Sequence, residues 1–563
     1  ISNCFVIPSP HDSYGGILTS DQELVQIAKR RGGVGFDLST IRPIGLPTGN
    51  AARTTDGIEV FMDRFSNSCR EVAQGGRRGA LMMTISVHHP QILDFIKIKN
   101  DKTRVTGANI SVRLTDEFLD AVENNEDFQL RFPVDSNEPT VSRIIRARDV
   151  WDKIIESAWS SAEPGILFWD NATGSTPSDI YKEEGFGSTS TNPCGEIILS
   201  PYDSCRLMVV NLLSFVDNPF TKDAKIDFEK LESVSIKAQR LMDDMVDLEM
   251  EQVNKILEKI EADPEPDNIK ATERNLWKNV LMQAEKGRRT GLGVTAVGDM
   301  LAALGIRYGS NSSIETVESV YKCLATSAYK SSSIMAKERG AFPIYSKELE
   351  SSHGFINRIL DSDVDLRKMH SAYGRRNIAI TTTAPAGSVS TLTQTTSGIE
   401  PAYMIKYVRR KKISESEADA GVDFIDDIGD KWQEYTVYHH GFKEWMNIAN
   451  SENVKRSPYW KATSSDIDWV SKVKVQAAAQ KWVCHAISNT TNIPSDTDIE
   501  AVKKIYMEGW KSGCKGVTVY RDGSRSGVLI SSKASDTQLK THEAPDRPKE
   551  LTCSIHHATI KGE

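Results

Sequence analysis

The first 135 residues alternate apolar stretches of strand composition with stretches whose apolar residues recur at helical spacing, and glycine-rich breaks separate them. Strands are predicted at 2–8, 81–87 and 108–113, and helices at 19–31 and 60–73. The breaks lie at 31–36 and 74–79. A strand–helix–strand order of this kind is typical of a parallel β-sheet with helical crossovers. The chain is therefore predicted to have an α/β fold.

The rest of the chain continues this pattern. Helices are predicted at 231–260 and 473–485, and short strands at 291–297, 377–383 and 517–520. From Arg525 onward the sequence is polar, which is typical of a linker. A length of 563 residues suits one large α/β barrel with insertions. We therefore expect one barrel domain over 1–530, followed over 531–563 by a linker and the start of a C-terminal segment.

Composition excludes several classes of protein. Apolar residues make up 39% of the chain and its net charge is -8, which is typical of a globular protein and not of one that coats nucleic acid. No apolar run approaches the roughly 20 residues that span a bilayer, and no signal peptide opens the chain. A cytoplasmic location is expected. Because Ile1 already lies in strand-like sequence, we expect the natural start to lie upstream.

Eight scattered cysteines include no CxxC pair. A secreted disulfide scaffold does not fit this length and density. Most of these cysteines are expected to be small buried residues in a reducing compartment. A functional cysteine would therefore be an exception that needs its own evidence.

One cysteine has such evidence in the sequence Asn192-Pro193-Cys194-Gly195-Glu196. Proline and glycine around a cysteine predict a tight loop that presents the side chain. If the stretch is extended, Asn192, Cys194 and Glu196 project from one face. An amide, a thiol and a carboxylate would then share one space, as a candidate catalytic site. Spacing alone leaves open a loop with an incidental cysteine.

Two further cysteines lie in short motifs, Cys4 in Ser2-Asn3-Cys4-Phe5 and Cys205 in Asp203-Ser204-Cys205. Together with the loop cysteine they resemble the catalytic chain of the ribonucleotide reductases. Five other stretches resemble that family in the same order, at 32–35, 74–79, 289–293, 384–390 and 397–401. The resemblance covers nearly the whole chain. It implies a ten-stranded α/β barrel of the ribonucleotide reductase and glycyl radical enzyme type, with the radical cysteine on a loop inside.

The resemblance also implies a role for each residue of the candidate site. Cys194 would be the thiyl radical that removes the 3′ hydrogen of the ribose, and Glu196 would take the proton of the 3′ hydroxyl. Asn192 would orient the substrate hydroxyls. Cys4 and Cys205 would supply two electrons and end as a disulfide. A carboxylate beside the 3′ position suits a general base, and a closed site would protect the radical.

Substrate-binding residues are implied in two places. The turn at 384–390 has small residues before a predicted helix, so its backbone N–H groups can face phosphate oxygens. In the family the matching turn binds the substrate phosphates. The implied residues at this turn and near Cys4 are Ala386, Gly387, Ser388, Val389, Ser390, Ser2, Asn3 and Gly33.

Allosteric control by dNTP or ATP is also implied. In the family a dNTP effector binds at the dimer interface. The matching residues here are Asp12, Arg42 and the loop 46–56. Lys102, Thr103 and Arg104 open the loop 102–107, which would report the effector base to the active site. Ordinary surface loops remain the alternative. A homodimer and a thioredoxin- or glutaredoxin-type reductant are the implied partners.

The kind of reductase follows from the stretch 516–524. Enzymes that use a separate metal-radical subunit carry paired tyrosines there, whereas this chain has Tyr520 alone and Val519 in the other place. Valine cannot carry a radical hop. Val519-Tyr520-Arg521-Asp522-Gly523-Ser524 resembles the adenosylcobalamin-dependent kind. The favoured cofactor is therefore adenosylcobalamin, and the subunit-dependent large chain remains the alternative.

Two parts of the family pattern are missing from this sequence, the usual N-terminal region and the C-terminal tail with two close cysteines. Cys553-Ser554-Ile555-His556-His557 stands near the place of that tail, but two or three ligands do not define a zinc site. No metal is predicted.

Other functions fit the sequence less well. Gly291-Leu292-Gly293 and the glycines at 32–35 do not form the GxGxxG pattern of a dinucleotide-binding unit. The basic stretch 409–412 is followed by acidic residues, as on a solvated surface. A non-catalytic nucleotide-binding homologue would be expected to lack the radical cysteine or its base. The sequence therefore favours an enzyme that acts on nucleotides, without nucleic acid or membrane as partner.

Overall fold

The computed structural model describes residues 2–72, 79–412, 421–425 and 431–524. Most of the predicted break at 74–79, the linker, Cys553 and the side chains of 409–412 lie outside the described residues. The strands share one numbering in chain order: β1 (Cys4–Val6), β2 (Gly33–Asp37), β3 (Leu81–Ser86), β4 (Asn109–Leu114), β5 (Asp127–Phe132), β6 (Val141–Arg146), β7 (Gly165–Phe168), β8 (Ser190–Thr191), β9 (Ile198–Leu199), β10 (Ser204–Cys205), β11 (Leu207–Asn211), β12 (Val216–Asp217), β13 (Lys225–Ile226), β14 (Gly291–Thr295), β15 (Lys406–Lys412), β16 (Phe424–Ile425), β17 (Lys431–Tyr438), β18 (Thr490–Ile493) and β19 (Gly516–Arg521).

The α-helices of the described residues cover the outside of these strands or connect them. In chain order they are α1 (Tyr14–Ala28), α2 (Ile58–Glu71), α3 (Ile92–Lys97), α4 (Asp116–Asn124), α5 (Ala147–Ser161), α6 (Trp169–Ser175), α7 (Phe228–Ala262), α8 (Asp267–Gly287), α9 (Val297–Ala303), α10 (Asn311–Arg339), α11 (Lys347–Ser351), α12 (Gly354–Asp361), α13 (Val364–Tyr373), α14 (Gly387–Thr393), α15 (His440–Ala449), α16 (Trp469–Gln480) and α17 (Ile499–Lys511).

An eight-stranded sheet has the order β10-β1-β2-β3-β4-β7-β19-β18. The strands β1, β2, β3, β4 and β7 are parallel to one another, whereas β10 and β19 join the two ends of this group in antiparallel orientation. The strands β2 and β3 are buried along their whole length, as in a sheet whose two faces are both covered. The predicted α/β class is confirmed.

A second set of strand-like segments runs beside the first. Strand β11 pairs in parallel with β14, and single parallel bridges continue from Leu292 to Thr381 and from Thr383 to Ile487. The predicted strand at 377–383 therefore takes part in sheet pairing only through isolated bridges.

Several element boundaries differ from the prediction, and two of them differ by five residues. The first helix begins at Tyr14, not at residue 19, because the Ser13 side chain accepts a hydrogen bond from the Gly16 N–H and caps the helix. The helix predicted at 473–485 ends at Gln480. Beyond it the backbone N–H of His485 donates to the Thr381 carbonyl at 3.0 Å. Pairing with the neighbouring strand-like segment replaces the helical hydrogen bonds there.

A buried ion pair stabilises the second set of strands. Arg375 Nε donates to Glu350 Oε1 at 2.8 Å, and both side chains are at most 1% exposed. Burial opposes the charge on Glu350, but the Arg375 guanidinium and His370 lower its pKa to about 2. The pair therefore stabilises the fold above the ordinary carboxyl pKa of 4.5, and its contribution is lost as the pH falls through about 2.

We expect Arg375→Met to lower the free energy of unfolding at neutral pH by about 3–5 kcal/mol, because it leaves the Glu350 carboxylate buried without its counter-charge. Urea denaturation measures this change. Arg146→Met, which breaks an exposed pair with Asp127, is the control and should leave the unfolding free energy nearly unchanged. Equal effects of the two substitutions would contradict the account of the buried pair.

Among the described helices, none is both long and apolar enough to cross a membrane.

Candidate active site

The segment that carries Cys194 is the turn of a hairpin between β8 and β9. The Asn192 N–H donates to the Ile197 carbonyl at 3.2 Å, and the Gly195 N–H donates to the Asn192 carbonyl at 3.0 Å. Gly195 has a φ of +82°, which glycine adopts without strain. The segment is therefore the tight turn that proline and glycine predict, and the extended arrangement considered beside it does not occur. We call residues 190–199 the thiol hairpin.

The turn nevertheless brings the amide and the carboxylate together. Asn192 Nδ2 donates to Glu196 Oε1 at 2.9 Å, while Asn192 Oδ1 accepts from the Ile197 N–H at 3.0 Å. Both side chains are buried, whereas Cys194 at the tip is exposed. Asn192 Nδ2 also lies 3.5 Å from Cys4 Sγ. The hairpin thus joins the amide and carboxylate to the strand of the second cysteine.

Cys4 and Cys205 lie opposite each other on the antiparallel strands β1 and β10. Residues opposite in such a pair have Cβ atoms about 4.5–5.5 Å apart, close to the separation that a disulfide requires. Both cysteines are free thiols in the structure. The geometry therefore permits the pair to form a disulfide with a small movement of the strands.

The thiol hairpin fits into the sheet because neighbouring glycines make room for it. A Cβ atom at Gly35 would lie 1.8 Å from the Thr191 carbonyl oxygen, and one at Gly33 would lie 2.9 Å from Pro193 Cγ. Any larger residue at Gly35 would displace the hairpin. The prediction of a break at 31–36 was therefore wrong for residues 33–36, which form part of β2, where glycine is needed because the hairpin packs against it.

Three further hydrogen bonds hold the hairpin, and the residues that make them were not predicted from the sequence. Asn109 Nδ2 donates to the Pro193 carbonyl at 2.9 Å. On the other side, the Glu196 carbonyl accepts from Thr382 Oγ1 at 3.0 Å and from the Ala486 N–H at 2.9 Å. No local motif marks these residues, because they come from three distant parts of the chain.

A cavity of about 230 Å³ opens beside the hairpin tip. Pro193, Cys194 and Gly195 form one wall, and Pro385 next to the predicted phosphate turn lines it as well. The remaining wall offers polar groups, including Asn109, Ser111, Glu163, Asn489 and Thr518. The cavity therefore combines one accessible thiol with several hydrogen-bonding side chains.

Burial changes the protonation of the three thiols and the carboxylate. It raises the pKa of the Cys4 and Cys194 thiols to about 12, and the neighbouring Glu196 charge raises both further. The pKa of Cys205 is also raised, mainly by burial. Burial raises the pKa of Glu196 to about 7, although the hydrogen bond from Asn192 opposes the shift. At neutral pH the site therefore holds neutral thiols and a carboxyl group that is partly ionised.

The predicted phosphate turn begins a short helix, α14, at Gly387. The Ala386 N–H donates to Ser397 Oγ at 2.9 Å, so it is already engaged within the protein. Gly387, Ser388 and Val389 are exposed, whereas Ser390 is buried. The first turn of a helix leaves its N–H groups without partners in the helix, and three of the predicted residues therefore remain accessible to a ligand.

The three predicted substrate residues near Cys4 have structural contacts. The Ser2 hydroxyl donates to the Glu249 carboxylate in a short hydrogen bond. The Asn3 carbonyl accepts from the Gly33 N–H at 2.7 Å, and Gly33 pairs with Cys4 across β1 and β2. The structure thus places Gly33 and Asn3 next to the cysteine, with Gly33 also against Pro193 of the hairpin.

The predicted effector residues form two clusters. Arg42 Nε donates to Asp12 Oδ2 at 2.8 Å, and Arg42 Nη1 donates to the Pro47 carbonyl at 2.6 Å. Arg104 pairs with Glu59 and Asp63 of α2. Thr103 Oγ1 donates to Asp101 at 2.6 Å, and Lys102 lies beside it on an exposed loop. Both clusters therefore adjoin the segment 46–63.

A group of three carboxylates, Asp243, Asp244 and Asp247, lies close enough together to hold a cation. Arg288 and Arg339 already pair with these carboxylates. Their positive charges oppose a cation there.

Val519 on β19 is buried, as is fitting for a residue of the sheet interior. Tyr520 lies near Tyr403, and the charges of Tyr520 and Asp522 help to raise the pKa of Tyr403. Burial is the larger cause of that shift.

Comparison with protein families matches residues 2–520 to the model described as ribonucleotide reductase, barrel domain. A vitamin B12-dependent ribonucleoside-diphosphate reductase of Thermoplasma acidophilum is 31% identical over 548 residues, which is 96% of this chain and 63% of the relative. A protein of the same name from Mycobacterium tuberculosis is 29% identical over 95% of this chain and 69% of its own length.

A vitamin B12-dependent ribonucleotide reductase of Rhodopirellula baltica is 25% identical over 96% of this chain and 54% of the relative. The chain thus spans between about half and about two thirds of the length of these relatives.

Proposed function

Since the chain belongs to the ribonucleotide reductase family by its match over residues 2–520, we propose that it reduces ribonucleoside diphosphates to 2′-deoxyribonucleotides for DNA synthesis and repair. One observation carries the proposal. The thiol hairpin brings Cys194, Asn192 and Glu196 to the edge where Cys4 and Cys205 lie opposite each other. A radical thiol, a base and a reducing pair are the groups that this reaction needs.

In the proposed reaction Cys194 acts as a thiyl radical, removes the 3′ hydrogen atom of the ribose, and returns that atom to C3′ at the end, which regenerates the radical. The Cys194 thiol is protonated at neutral pH even though the residue is exposed at the tip, because desolvation by the surrounding protein and the Glu196 charge raise its pKa from the ordinary 9.0, so the sulfur retains the hydrogen atom that a one-electron oxidant must remove. Glu196 takes the proton of the 3′ hydroxyl, and Asn192 orients the substrate hydroxyls. The hydrogen bond between Asn192 and Glu196 supports a joint role.

The reducing equivalents come from the cysteine pair. Cys4 and Cys205 together lose two hydrogen atoms: one leaves with the 2′ hydroxyl as water, the other becomes the new hydrogen at C2′, and the sulfurs join as a disulfide. The opposite positions of the two cysteines on β1 and β10 support this step. A dithiol reductant of the thioredoxin or glutaredoxin type would return the pair to thiols.

Adenosylcobalamin is the proposed cofactor, and it supplies the one-electron chemistry that turns the Cys194 thiol into a radical. The relatives from Thermoplasma and Mycobacterium are named as vitamin B12-dependent. The cavity fits the adenosyl part in chemistry, since Asn109, Asn489 and Thr518 offer hydrogen bonds beside an accessible thiol. At about 230 Å³ it is smaller than an ordinary pocket for a whole cofactor, so the fit concerns the adenosyl part alone.

The proposal is tested by supplying the chain with a ribonucleoside diphosphate, a dithiol and a dNTP, with and without adenosylcobalamin, and measuring deoxynucleotide. We expect product only when the cobalamin is present. Product that requires a metal-radical subunit instead would favour the subunit-dependent large chain. Nucleotide binding without product under either condition would favour a non-catalytic nucleotide-binding homologue.

We propose that Ala386, Gly387, Ser388, Val389 and Ser390 hold the substrate phosphates. Support comes from the exposed start of α14 and from Pro385, which lines the cavity of Cys194. Because Ala386 and Ser390 are buried, the three residues between them would make the direct contacts. Ser2, Asn3 and Gly33 would form the opposite side of the substrate site.

A dNTP or ATP effector is proposed to bind at a homodimer interface near Asp12 and Arg42, and the loop that includes Lys102, Thr103 and Arg104 would respond to it. Exposed apolar side chains on and near α1 and α2 support an interface there, with Tyr14 63% and Ile44 59% exposed. Contiguous exposed apolar patches mark contact surfaces, and Tyr14 packs against Phe61 of α2. We place the reaction in the cytoplasm, where the redox thiols would be kept reduced.

We propose that residues 1–530 form one domain whose strands close into the ten-stranded barrel. The support is a continuous series of neighbours. Strand β10 is followed directly by β11, which pairs with β14, and bridges then lead through Thr381 and Thr383 to Ile487. Ile487 precedes β18, the last strand of the eight-stranded sheet. If β10 with β11 and Ile487 with β18 each count as one segment, ten neighbouring segments would return to their starting point.

A further inference from the structure

A buried carboxylate joins the two strands that carry Cys4 and Cys205 to helix α7. Glu249 of α7 accepts a hydrogen bond from the Ser204 hydroxyl at 3.1 Å and a short one from the Ser2 hydroxyl. Ser204 directly precedes Cys205, and Ser2 precedes Cys4 by two residues. One carboxylate therefore contacts both strands of the cysteine pair.

An arginine completes this contact. Arg206 Nε and Nη2 donate to the two oxygens of Glu249 at 2.8 and 2.9 Å, and its side chain is fully buried. Arg206 Nη1 donates to the Arg289 carbonyl at 3.0 Å, just before β14. Burial opposes the charge on Glu249, but Arg206 and the two serines keep its pKa below the ordinary value. The carboxylate is thus ionised and has hydrogen-bond donors at both oxygens.

The cysteine pair lies in a short piece of sheet. Strand β10 has two residues, and its pairs with β1, Cys4 with Cys205 and Phe5 with Ser204, are continued by hydrogen bonds from the Val6 N–H to the Asp203 carbonyl at 3.2 Å and from the Tyr202 N–H to the Val6 carbonyl at 2.7 Å. A disulfide needs Cβ atoms about 3.8 Å apart, whereas opposite residues usually lie about 4.5–5.5 Å apart. Oxidation and reduction therefore move the strands slightly, and something must keep their register while they move.

We propose that Glu249, Arg206 and Ser204 are positioning residues for the Cys4–Cys205 redox pair, because they fix the two strands to α7 and favour the disulfide. The inference rests on the proposed function, which assigns the redox role to these cysteines. None of the three side chains needs to contact substrate. Their effect is on how closely the two thiols are held to each other.

The test uses the full chain equilibrated with mixtures of oxidised and reduced dithiothreitol. Exchange transfers the two thiol hydrogens of the cysteine pair to the reagent disulfide, which becomes a dithiol, while Cys4 and Cys205 become a disulfide. Mass spectrometry of peptides identifies the Cys4–Cys205 bond among the other cysteines. The measured quantity is the equilibrium constant for its formation.

Ser204→Ala removes one contact of the carboxylate and keeps the Arg206–Glu249 pair, so it should fold, whereas Glu249→Gln would leave the buried Arg206 charge uncompensated. We expect this change to lower the equilibrium constant about fivefold, the scale of one hydrogen bond. Tyr181→Phe is the matched control, since Tyr181 donates to Glu350 in the other buried arginine–glutamate pair at 2.9 Å. It should leave the constant unchanged while removing a comparable hydrogen bond.

A lowered constant in Ser204→Ala alone supports the inference. An unchanged or raised constant in Ser204→Ala, or an equal decrease in Tyr181→Phe, overturns it and leaves the proposed function intact. Absence of any Cys4–Cys205 disulfide in the unaltered chain overturns the inference together with the redox role of the two cysteines. The two failures are thus distinguished by the unaltered protein.

Discussion

Cys194→Ser is expected to lower the rate of deoxynucleotide formation at least about a thousandfold, the scale of losing a side chain that the chemistry itself requires. A serine hydroxyl keeps the turn and the size of the side chain, but it does not form a radical under conditions that oxidise a thiol. Product formation is measured by chromatography with saturating nucleotide. Nucleotide binding, measured by equilibrium dialysis, should remain near the original value.

The control for this variant is Cys323→Ser. Cys323 is a half-buried free thiol on α10, outside the candidate site. Its replacement should change the rate less than about twofold, because substitutions away from functional features usually have small effects. Retained turnover in Cys194→Ser, or equal losses in both variants, would refute the assignment of the radical to the thiol hairpin.

Glu196→Gln is expected to lower the rate about 10²–10⁴-fold, the usual contribution of a general base. The amide keeps the hydrogen-bonding shape but cannot accept the 3′ hydroxyl proton. Because burial raises the pKa of Glu196 to about 7, the ionised form increases as the pH rises through 7. The rate of the unaltered enzyme should therefore rise across this range and level off above it, and the variant should lack that rise.

The raised pKa of Glu196 also makes the stability of the fold depend on pH. A carboxyl group whose folded pKa lies above its unfolded value stabilises the fold while it is protonated, and this contribution is lost between pH 4.5 and about 7. Glu183→Gln, at an exposed carboxylate, is the control for both measurements. A pH–rate profile that is unchanged in Glu196→Gln would exclude this residue as the base.

The candidate site residues could be named from the sequence because each lies in a short local motif that resembles the family. Cys194, Asn192 and Glu196 stand within five residues, and the turn of the hairpin still brings the amide to the carboxylate. The tight turn was predicted from proline and glycine, whereas the extended arrangement, considered from side-chain periodicity, does not occur. Proline and a glycine at positive φ determine the backbone there.

The supporting residues could not be named in this way. Glu249 lies in a helix rich in charged residues, as many surface residues do. It is nevertheless buried, and it accepts a hydrogen bond from Arg206, 43 positions earlier. Gly35 is needed because Thr191 of the hairpin approaches it, a contact over 156 positions. Contacts between distant segments leave no local pattern, whereas the strand–helix alternation that predicted the α/β class is local and was confirmed.

Centrally, we propose that the cysteine thiols of this site supply the hydrogen that replaces the 2′ hydroxyl. The most direct test runs the reaction in D₂O and locates deuterium in the product by NMR. Thiol hydrogens exchange with solvent, so we expect one deuterium at C2′ of the deoxynucleotide. We expect no product from Cys4→Ser when no other thiol is supplied. A deoxynucleotide whose C2′ carries no deuterium would contradict the claim.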